Sequence, residues 1–302
     1  MPKRKKSSRK RKSKIKLPLS VVITLIVIVA IIAGVWAYLH PAEARMYVDN
    51  WIAQIQGKPV QTQQPAEPIP TTGDYDNLAY GVPGPADVII NREGYALGYI
   101  EYHEQPAWVI YHMTDVEAKT KATSRNDNFR EDPEIASGSA TLADYRGSGY
   151  DRGHLAPAAD MAYSVKTMDE SFYMSNMSPQ RGEFNRGIWK DLEAQVRDFA
   201  IVEKDVYIVT GPILPQKKSL TIGASQVTVP ERYYKVVWDR TPPEKMIGFI
   251  LPNAGSTKSL QEYAVTVDTV EAATGLDFFS ELPKEQQADL EGTITINAWK
   301  WD

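Results

Sequence analysis

Polar and glycine-rich residues suited to acid–base chemistry are concentrated in residues 144–160 of this 302-residue chain, which has four histidines and no cysteine. His154 lies in this stretch, and it is the best candidate for chemistry that needs a titratable imidazole. The absence of cysteine excludes a thiol nucleophile, a disulfide framework and a Cys-ligated zinc site. The search for a reactive centre therefore starts from His154.

Three further polar residues follow His154 along the chain, namely Asn176, Asn185 and Glu193. Asn185 is predicted to open an amphipathic helix that ends near Phe199, which places Glu193 on an adjoining helix face. A carboxamide, a carboxylate and a neighbouring imidazole suit a single Mg²⁺ site, and a helix N-terminus favours phosphate. Basic residues gather around this region: Arg125, Arg130, Arg146, Arg152, Arg181, Arg186 and Lys190.

The elements that must position these residues form a mixed pattern of strands and helices. β-Branched and aromatic runs predict strands at residues 107–113, 205–211, 232–238 and 246–252. Apolar periodicity predicts helices at residues 185–199 and 265–274. The strands outnumber the helices and do not alternate regularly with them, which favours an α+β fold.

The motif Asp151-Arg-Gly-His154, followed by Asn176, Asn185 and Glu193, resembles the DNA/RNA non-specific endonuclease family. This family belongs to the ββα-metal superfamily, which includes the Serratia-type nuclease and endonuclease G. Residues 143–156 and 172–180 look especially similar to endonuclease G, and the similarity extends over residues 76–283. It implies a ββα-metal nuclease domain with a mixed, mainly antiparallel sheet.

The resemblance also implies roles for the four spaced residues. His154 matches the general base, and Asn185 matches the direct ligand of Mg²⁺, with Mn²⁺ able to substitute. Glu193 matches a carboxylate that holds the waters of the metal, and Asn176 matches a residue that orients the site. The implied reaction is Mg²⁺-dependent hydrolysis of DNA or RNA to 5′-phosphate and 3′-hydroxyl ends, and family members often form homodimers.

Arginines of the same region match the phosphate-binding groups of the family. Arg125 is the best match for the phosphate clamp, Arg130 is its rival, and Arg152 is a second clamp. Two other functions stay open. The chain could be a cell-surface phosphodiesterase or nucleotidase acting on small nucleotides, or a catalytically silent module that binds nucleic acid.

The N-terminal segment carries a separate signal. Residues 1–16 contain ten Lys or Arg and no acid, and residues 17–39 contain no charge. About 20 apolar residues span a bilayer, and the positive-inside rule puts the basic tail in the cytoplasm. These patterns predict a single-pass bacterial cell-membrane protein with its catalytic domain outside the cytoplasm, although residues 42–44 also resemble a signal-peptide cleavage site.

Composition divides the rest of the chain into two parts. Residues 40–75 read as a juxtamembrane segment and a linker rich in Pro, Gln and Thr, and residues 76–302 as the endonuclease domain. Residues 17–302 carry 24 Lys and Arg against 38 Asp and Glu, a formal net charge of −14. Such acidity argues against broad electrostatic capture of DNA, so phosphate binding requires a local basic patch.

Overall fold

Runs of apolar residues build a seven-stranded sheet in the computed structural model, which describes residues 75–301. Every neighbouring pair of strands in it is antiparallel, in the order β1-β2-β3-β6-β9-β10-β11. The strands are β1 (Val88–Asn91), β2 (Ala96–Ile100), β3 (Gln105–Thr114), β6 (Asp205–Pro212), β9 (Arg232–Asp239), β10 (Lys245–Pro252) and β11 (Ala264–Val265). Two short hairpins lie outside this sheet: β4 (Tyr150–His154) with β5 (Met177–Arg181), and β7 (Thr221–Ile222) with β8 (Val227–Thr228).

Seven helices accompany the strands within residues 75–301. They are α1 (Asp115–Lys119), α2 (Leu142–Tyr145), α3 (Val165–Glu170), α4 (Gly182–Asn185), α5 (Ile188–Glu203), α6 (Val267–Thr274) and α7 (Lys284–Glu291). Single 3₁₀ turns occur at Asp76–Leu78, Glu101–His103, Met174–Asn176, Leu260–Tyr263 and Ile296–Ala298. The predicted strands and the second predicted helix correspond to β3, β6, β9, β10 and α6.

Side chains alternate between the two faces of the main sheet, and each face is buried in its own hydrophobic core. On β3, Val109 and Tyr111 join the core beneath α5, whereas Trp108 and Ile110 join a second core with α6. Helix α5 contributes a fully buried apolar stripe to the first core: Trp189, Leu192, Val196 and Phe199. Burying one such side chain contributes about 1.5–3 kcal/mol, so the stripe fixes α5 against the sheet.

A β-hairpin followed by helices carries the residues of interest. Strands β4 and β5 pair antiparallel, with His154 opposite Met177, and α4 and α5 follow β5 directly. Gly153 permits this pairing, because a Cβ there would lie 2.1 Å from Cδ of Gln180. The expected α+β fold with a mainly antiparallel sheet is confirmed.

The prediction that Asn185 opens the long helix is wrong. Asn185 is the last residue of α4, and α5 begins only at Ile188. Gly187 separates the two helices with φ −107° and ψ −120°, and a Cβ there would lie 2.5 Å from the carbonyl oxygen of Glu183. Because Asn185 and Glu193 lie on two separate helices, helical periodicity cannot be used to relate the directions of their side chains.

The predicted basic tail, transmembrane helix and linker, residues 1–74, lie outside the described residues. Within residues 75–301, no helix combines the length and apolar character that crossing a membrane requires. The described residues belong to the compact unit Pro68–Asp302.

Candidate active site

His154 ends β4 and lies between two aromatic rings. The ring centroid of Phe172 is 4.9 Å from that of the imidazole in an edge-on arrangement, and that of Phe129 is 5.6 Å away. The residue is 8% exposed, and Nε2 has no hydrogen-bond partner in the described part of the chain. Its ring is therefore held by packing, and one ring nitrogen is uncommitted.

The electrostatic surroundings keep this imidazole neutral. Burial lowers the pKa of His154 to about 3, and the positive charges of Arg125 and Arg152 act in the same direction. Burial acts in this way because it disfavours the charged form of a base. At neutral pH, the ring is therefore uncharged, and one of its nitrogens carries a free lone pair.

Two arginines lie over the same aromatic rings. The guanidinium carbon of Arg152 is 4.1 Å from the ring centroid of Phe129, and that of Arg125 is 4.9 Å from that of Phe172. Alternation along β4 explains why both Arg152 and His154 reach Phe129. The two arginines line a cleft of about 520 Å³, together with Asp127, Phe129, Leu142, Tyr145, Arg146, Tyr150, Asp151 and Asn185.

Arg130, the alternative to Arg125, has a different environment. Its guanidinium forms an ion pair with Asp169 at 2.6 Å and donates to the carbonyl oxygens of Asn128 and Asp169. It also lies 4.0 Å from the ring centroid of Tyr173. Arg130 thus fastens two segments together and is absent from the cleft lining, whereas Arg125 is half exposed within it.

Asn185 is positioned by Asp151, which precedes His154 on β4. The Asn185 Nδ2 donates to Asp151 Oδ2 at 3.0 Å, and Arg186 donates to both carboxylate oxygens at 2.8 and 2.9 Å. These hydrogen bonds lower the pKa of Asp151 and keep it ionised. The amide oxygen of Asn185 is the donor atom left for another ligand.

The donor set of this cleft fits Mg²⁺. Mg²⁺ prefers oxygen ligands and retains several waters, so it needs few protein atoms. Asn185 offers one amide oxygen, and Asp151 orients that amide as an outer hydrogen-bond partner. The arginines that line the same cleft leave room for a second, anionic group beside the ion.

Asn176 is fully buried and connects the segment after His154 to the end of α3. Its Nδ2 donates to the carbonyl oxygens of Ala156 and Ser171, both at 2.9 Å, and its Oδ1 accepts from the Ala156 amide at 2.9 Å. Both Ala156 groups lie only two residues beyond His154. The contacts of Asn176 thus hold the backbone that carries the imidazole.

Glu193 belongs to a different cluster, between α5 and the sheet. Burial raises its pKa and lowers that of Lys235, and the opposite charges of the two residues oppose both shifts. In the described residues, no hydrogen bond or ion pair joins Glu193 to Asn185 or His154, and Glu193 does not line the cleft. The same cluster contains Asp160 and Arg197, whose oxygen and nitrogen are 2.6 Å apart.

Lys235 is the member of this cluster that the sequence did not indicate. It lies in the middle of β9, is fully buried, and its Nζ has no hydrogen-bond partner within residues 75–301. The ammonium lies 4.9 Å from the ring centroid of Trp189. A lysine among the apolar residues of a predicted central strand is the signal that points to it, because such a charge is rarely buried without a role.

A β-hairpin that bears an imidazole, followed by helices with a positioned carboxamide, defines the ββα-metal class of nucleases. A sequence profile of the DNA/RNA non-specific endonucleases matches residues 73–285. The chain belongs to this family, whose members depend on divalent metal and act on nucleic acids.

Individual nucleases are also similar to this chain in sequence and in structure. Nuclease C1 of Cunninghamella echinulata var. echinulata is 41% identical over 234 residues, which are 72% of this chain and 93% of the relative. The mitochondrial nuclease of Saccharomyces cerevisiae is 37% identical over 70% of this chain and 71% of its own. A crystal structure of a complex of EndoG with EndoGI matches with a TM-score of 0.64 and 34% identity, covering 70% of this chain and 93% of that one.

The predicted location in a bacterial cell membrane is wrong. The yeast relative and further matches from Xenopus laevis and Homo sapiens are named as mitochondrial nucleases. The prediction used the charge and length of residues 1–39 alone. Those properties relate a segment to a bilayer, but they identify neither an organism nor a compartment.

Proposed function

We propose that this protein is an Mg²⁺-dependent, sugar-non-specific endonuclease that hydrolyses phosphodiester bonds of DNA and RNA. The observation that carries the proposal is a neutral, buried His154 packed against Phe129 and Phe172, the two rings that Arg152 and Arg125 overlie, and these arginines line the cleft that contains Asn185. We assign residues 76–302 to the nuclease domain and expect a homodimer, as in many members of the family.

His154 acts as the general base in this proposal. Its unpartnered Nε2 takes a proton from the attacking water, and a neutral ring is the form required for that transfer. The backbone contacts of Asn176 restrict the position of the ring, so that it stays aligned with the attacking water. Asn176 is therefore a positioning residue rather than a catalytic one.

Arg125 and Arg152 bind the phosphate. A guanidinium offers planar, paired N–H groups that match phosphate oxygens, and two of them stabilise the negative charge that develops during hydrolysis. Contacts to phosphate carry no information on base sequence, which is consistent with a non-specific enzyme. Arg130 takes no part, because Asp169 and backbone carbonyls occupy its guanidinium.

Asn185 would hold Mg²⁺, or Mn²⁺ in its place, through its amide oxygen. Glu193 does not line the cleft, and we assign it only an outer role, through the waters of the metal. When bound, the ion supplies Lewis-acid stabilisation of phosphoryl charge and of the leaving 3′ oxygen. Asp151 contributes by fixing the rotation of the Asn185 amide. The proposed products are 5′-phosphate and 3′-hydroxyl ends.

The proposal is tested with the full-length protein by cleavage of supercoiled plasmid and of single-stranded RNA, in Mg²⁺ and in EDTA. We expect Mg²⁺-dependent cleavage that His154→Ala reduces by about 10²–10⁴-fold without loss of folding. As a matched pair, Arg125→Gln weakens cleavage by about 10–100-fold, whereas Arg130→Gln changes thermal stability more than activity.

Three outcomes would contradict parts of this assignment. A His154→Ala protein within tenfold of the wild-type rate would remove His154 as the base. Cleavage of a small chromogenic phosphodiester without cleavage of either polymer would indicate a phosphodiesterase of small nucleotides. DNA binding that is equal with and without Mg²⁺, with no cleavage, would indicate a silent binding module.

A further inference from the structure

Three carboxylates meet on the face of the sheet opposite His154, where α6 lies beside α7. Asp268 and Glu271 are one turn apart on α6, and Glu291 is the last residue of α7. One oxygen of each lies within 4.8 Å of the others. No lysine, arginine or histidine of the described residues lies within 4.0 Å of them, and the nearby Lys284 donates to Gln287 instead.

The carboxylate of Glu291 is buried, and one of its oxygens lacks a hydrogen-bond partner among the described residues. The residue is only 5% exposed, and its Oε1 has no hydrogen-bond partner in residues 75–301. An unpartnered carboxylate oxygen is costly to bury. The nearby carboxylates of Glu271, Asp277 and Asp268 add negative charge around this buried group.

The backbone adds to the negative potential. Glu291 and the following Gly292 form the C-terminal end of α7, where helix carbonyls carry partial negative charge. A Cβ at Gly292 would lie 3.3 Å from Asp268 Oδ2, so this carboxylate oxygen approaches the helix end closely. Glu271 is held in place, because its Oε1 accepts the Phe278 amide at 2.7 Å.

We propose that Asp268, Glu271 and Glu291 form a Ca²⁺ site that fastens α6 to α7. Three carboxylates supply the hard oxygen donors that Ca²⁺ takes at about 2.3–2.6 Å, and exposed Asp268 leaves room for waters to complete the shell. Ca²⁺ suits this set better than Mg²⁺, which requires near-ideal octahedral geometry. The site is independent of the proposed nuclease chemistry on the other face.

The test is thermal unfolding of the full-length protein, freed of metal and then titrated with Ca²⁺ alone. At ten times the dissociation constant we expect the midpoint to rise by about 3–6 °C. Glu291→Gln should abolish this rise, because it removes the buried carboxylate ligand. Glu285→Gln, an exposed change on the same helix, should behave as wild type.

Two further variants establish where the Ca²⁺ ion binds. Asn185→Ala should retain the full Ca²⁺ response, and its loss there would place the ion in the nuclease cleft. Asp268→Asn removes an exposed ligand without disturbing the core, so it tests the site even if Glu291→Gln does not fold, and it should weaken Ca²⁺ binding at least tenfold. An unchanged wild-type midpoint, or an equal rise in Asp268→Asn, would overturn the proposal.

Discussion

The titration of His154 provides a direct test of its burial. With a pKa of about 3, the imidazole stays about 99% neutral at pH 5, whereas an ordinary histidine with a pKa of ~6.5 is only about 3% neutral there. The difference corresponds to roughly 5 kcal/mol against protonating the folded protein. Arg125→Gln should raise this pKa by removing a positive charge, but not to the ordinary value, because burial is the largest cause.

The assay is NMR of the imidazole nitrogens in full-length, metal-free protein between pH 5 and 8, with His154→Gln to assign the signal. We expect a His154 signal that stays in the neutral form throughout this range. The same pKa has a consequence for stability. Because the unfolded chain binds the proton first, falling pH destabilises the wild type relative to His154→Gln by about 1.4 kcal/mol per unit between about pH 6.5 and pH 3.

Two results would contradict this account of His154. If the His154 signal titrates near pH 6.5, the ring is hydrated, and the assignment of a neutral buried base is refuted. When the titration is extended below pH 5, His154 in Arg125→Gln should protonate at a higher pH than in the wild type, and protonation at the same or a lower pH would refute the contribution of the arginine charge.

Three further substitutions test other parts of the structure. Asp151→Ala frees the amide of Asn185, so half-maximal cleavage should need about 10–100-fold more Mg²⁺ with little change in DNA affinity; an unchanged metal titration would contradict this. Asn176→Ala leaves three buried backbone groups unpaired and should cost about 3–5 kcal/mol, measured by urea unfolding. Lys235→Met should lower kcat about tenfold at constant KM, because it removes a cation that faces Glu193; a stability change with normal kcat would make the pair structural.

Much of the fold follows from patterns that lie within single segments. Strand β3 contains the predicted run at residues 107–113, and β6, β9 and β10 contain the others, because continuous runs of β-branched and aromatic residues suit a sheet buried on both faces. The helix boundary at Asn185 could not be predicted in this way. It depends on Gly187, whose backbone conformation interrupts a pattern that otherwise continues without a break.

The candidate site could also be predicted in part, because some of its features lie within single segments. The motif that ends in His154, and the spacing to Asn176 and Asn185, are local features that the resemblance carries directly. The choice between Arg125 and Arg130 was open, since both are arginines in one loop. Each forms an ion pair with an aspartate, but Arg130 also donates to two backbone carbonyl oxygens, one of them 39 positions away, and only Arg125 lines the cleft.

The sequence by itself determined which groups are available for chemistry, their order along the chain and the family to which the chain belongs. Tertiary structure decided the state of those groups. The aromatic rings that bury His154 come from Phe129 and Phe172, and the carboxylate that orients Asn185 comes from Asp151. A pKa or a side-chain rotation depends on what lies within a few ångströms, and those neighbours come from segments that only folding brings together.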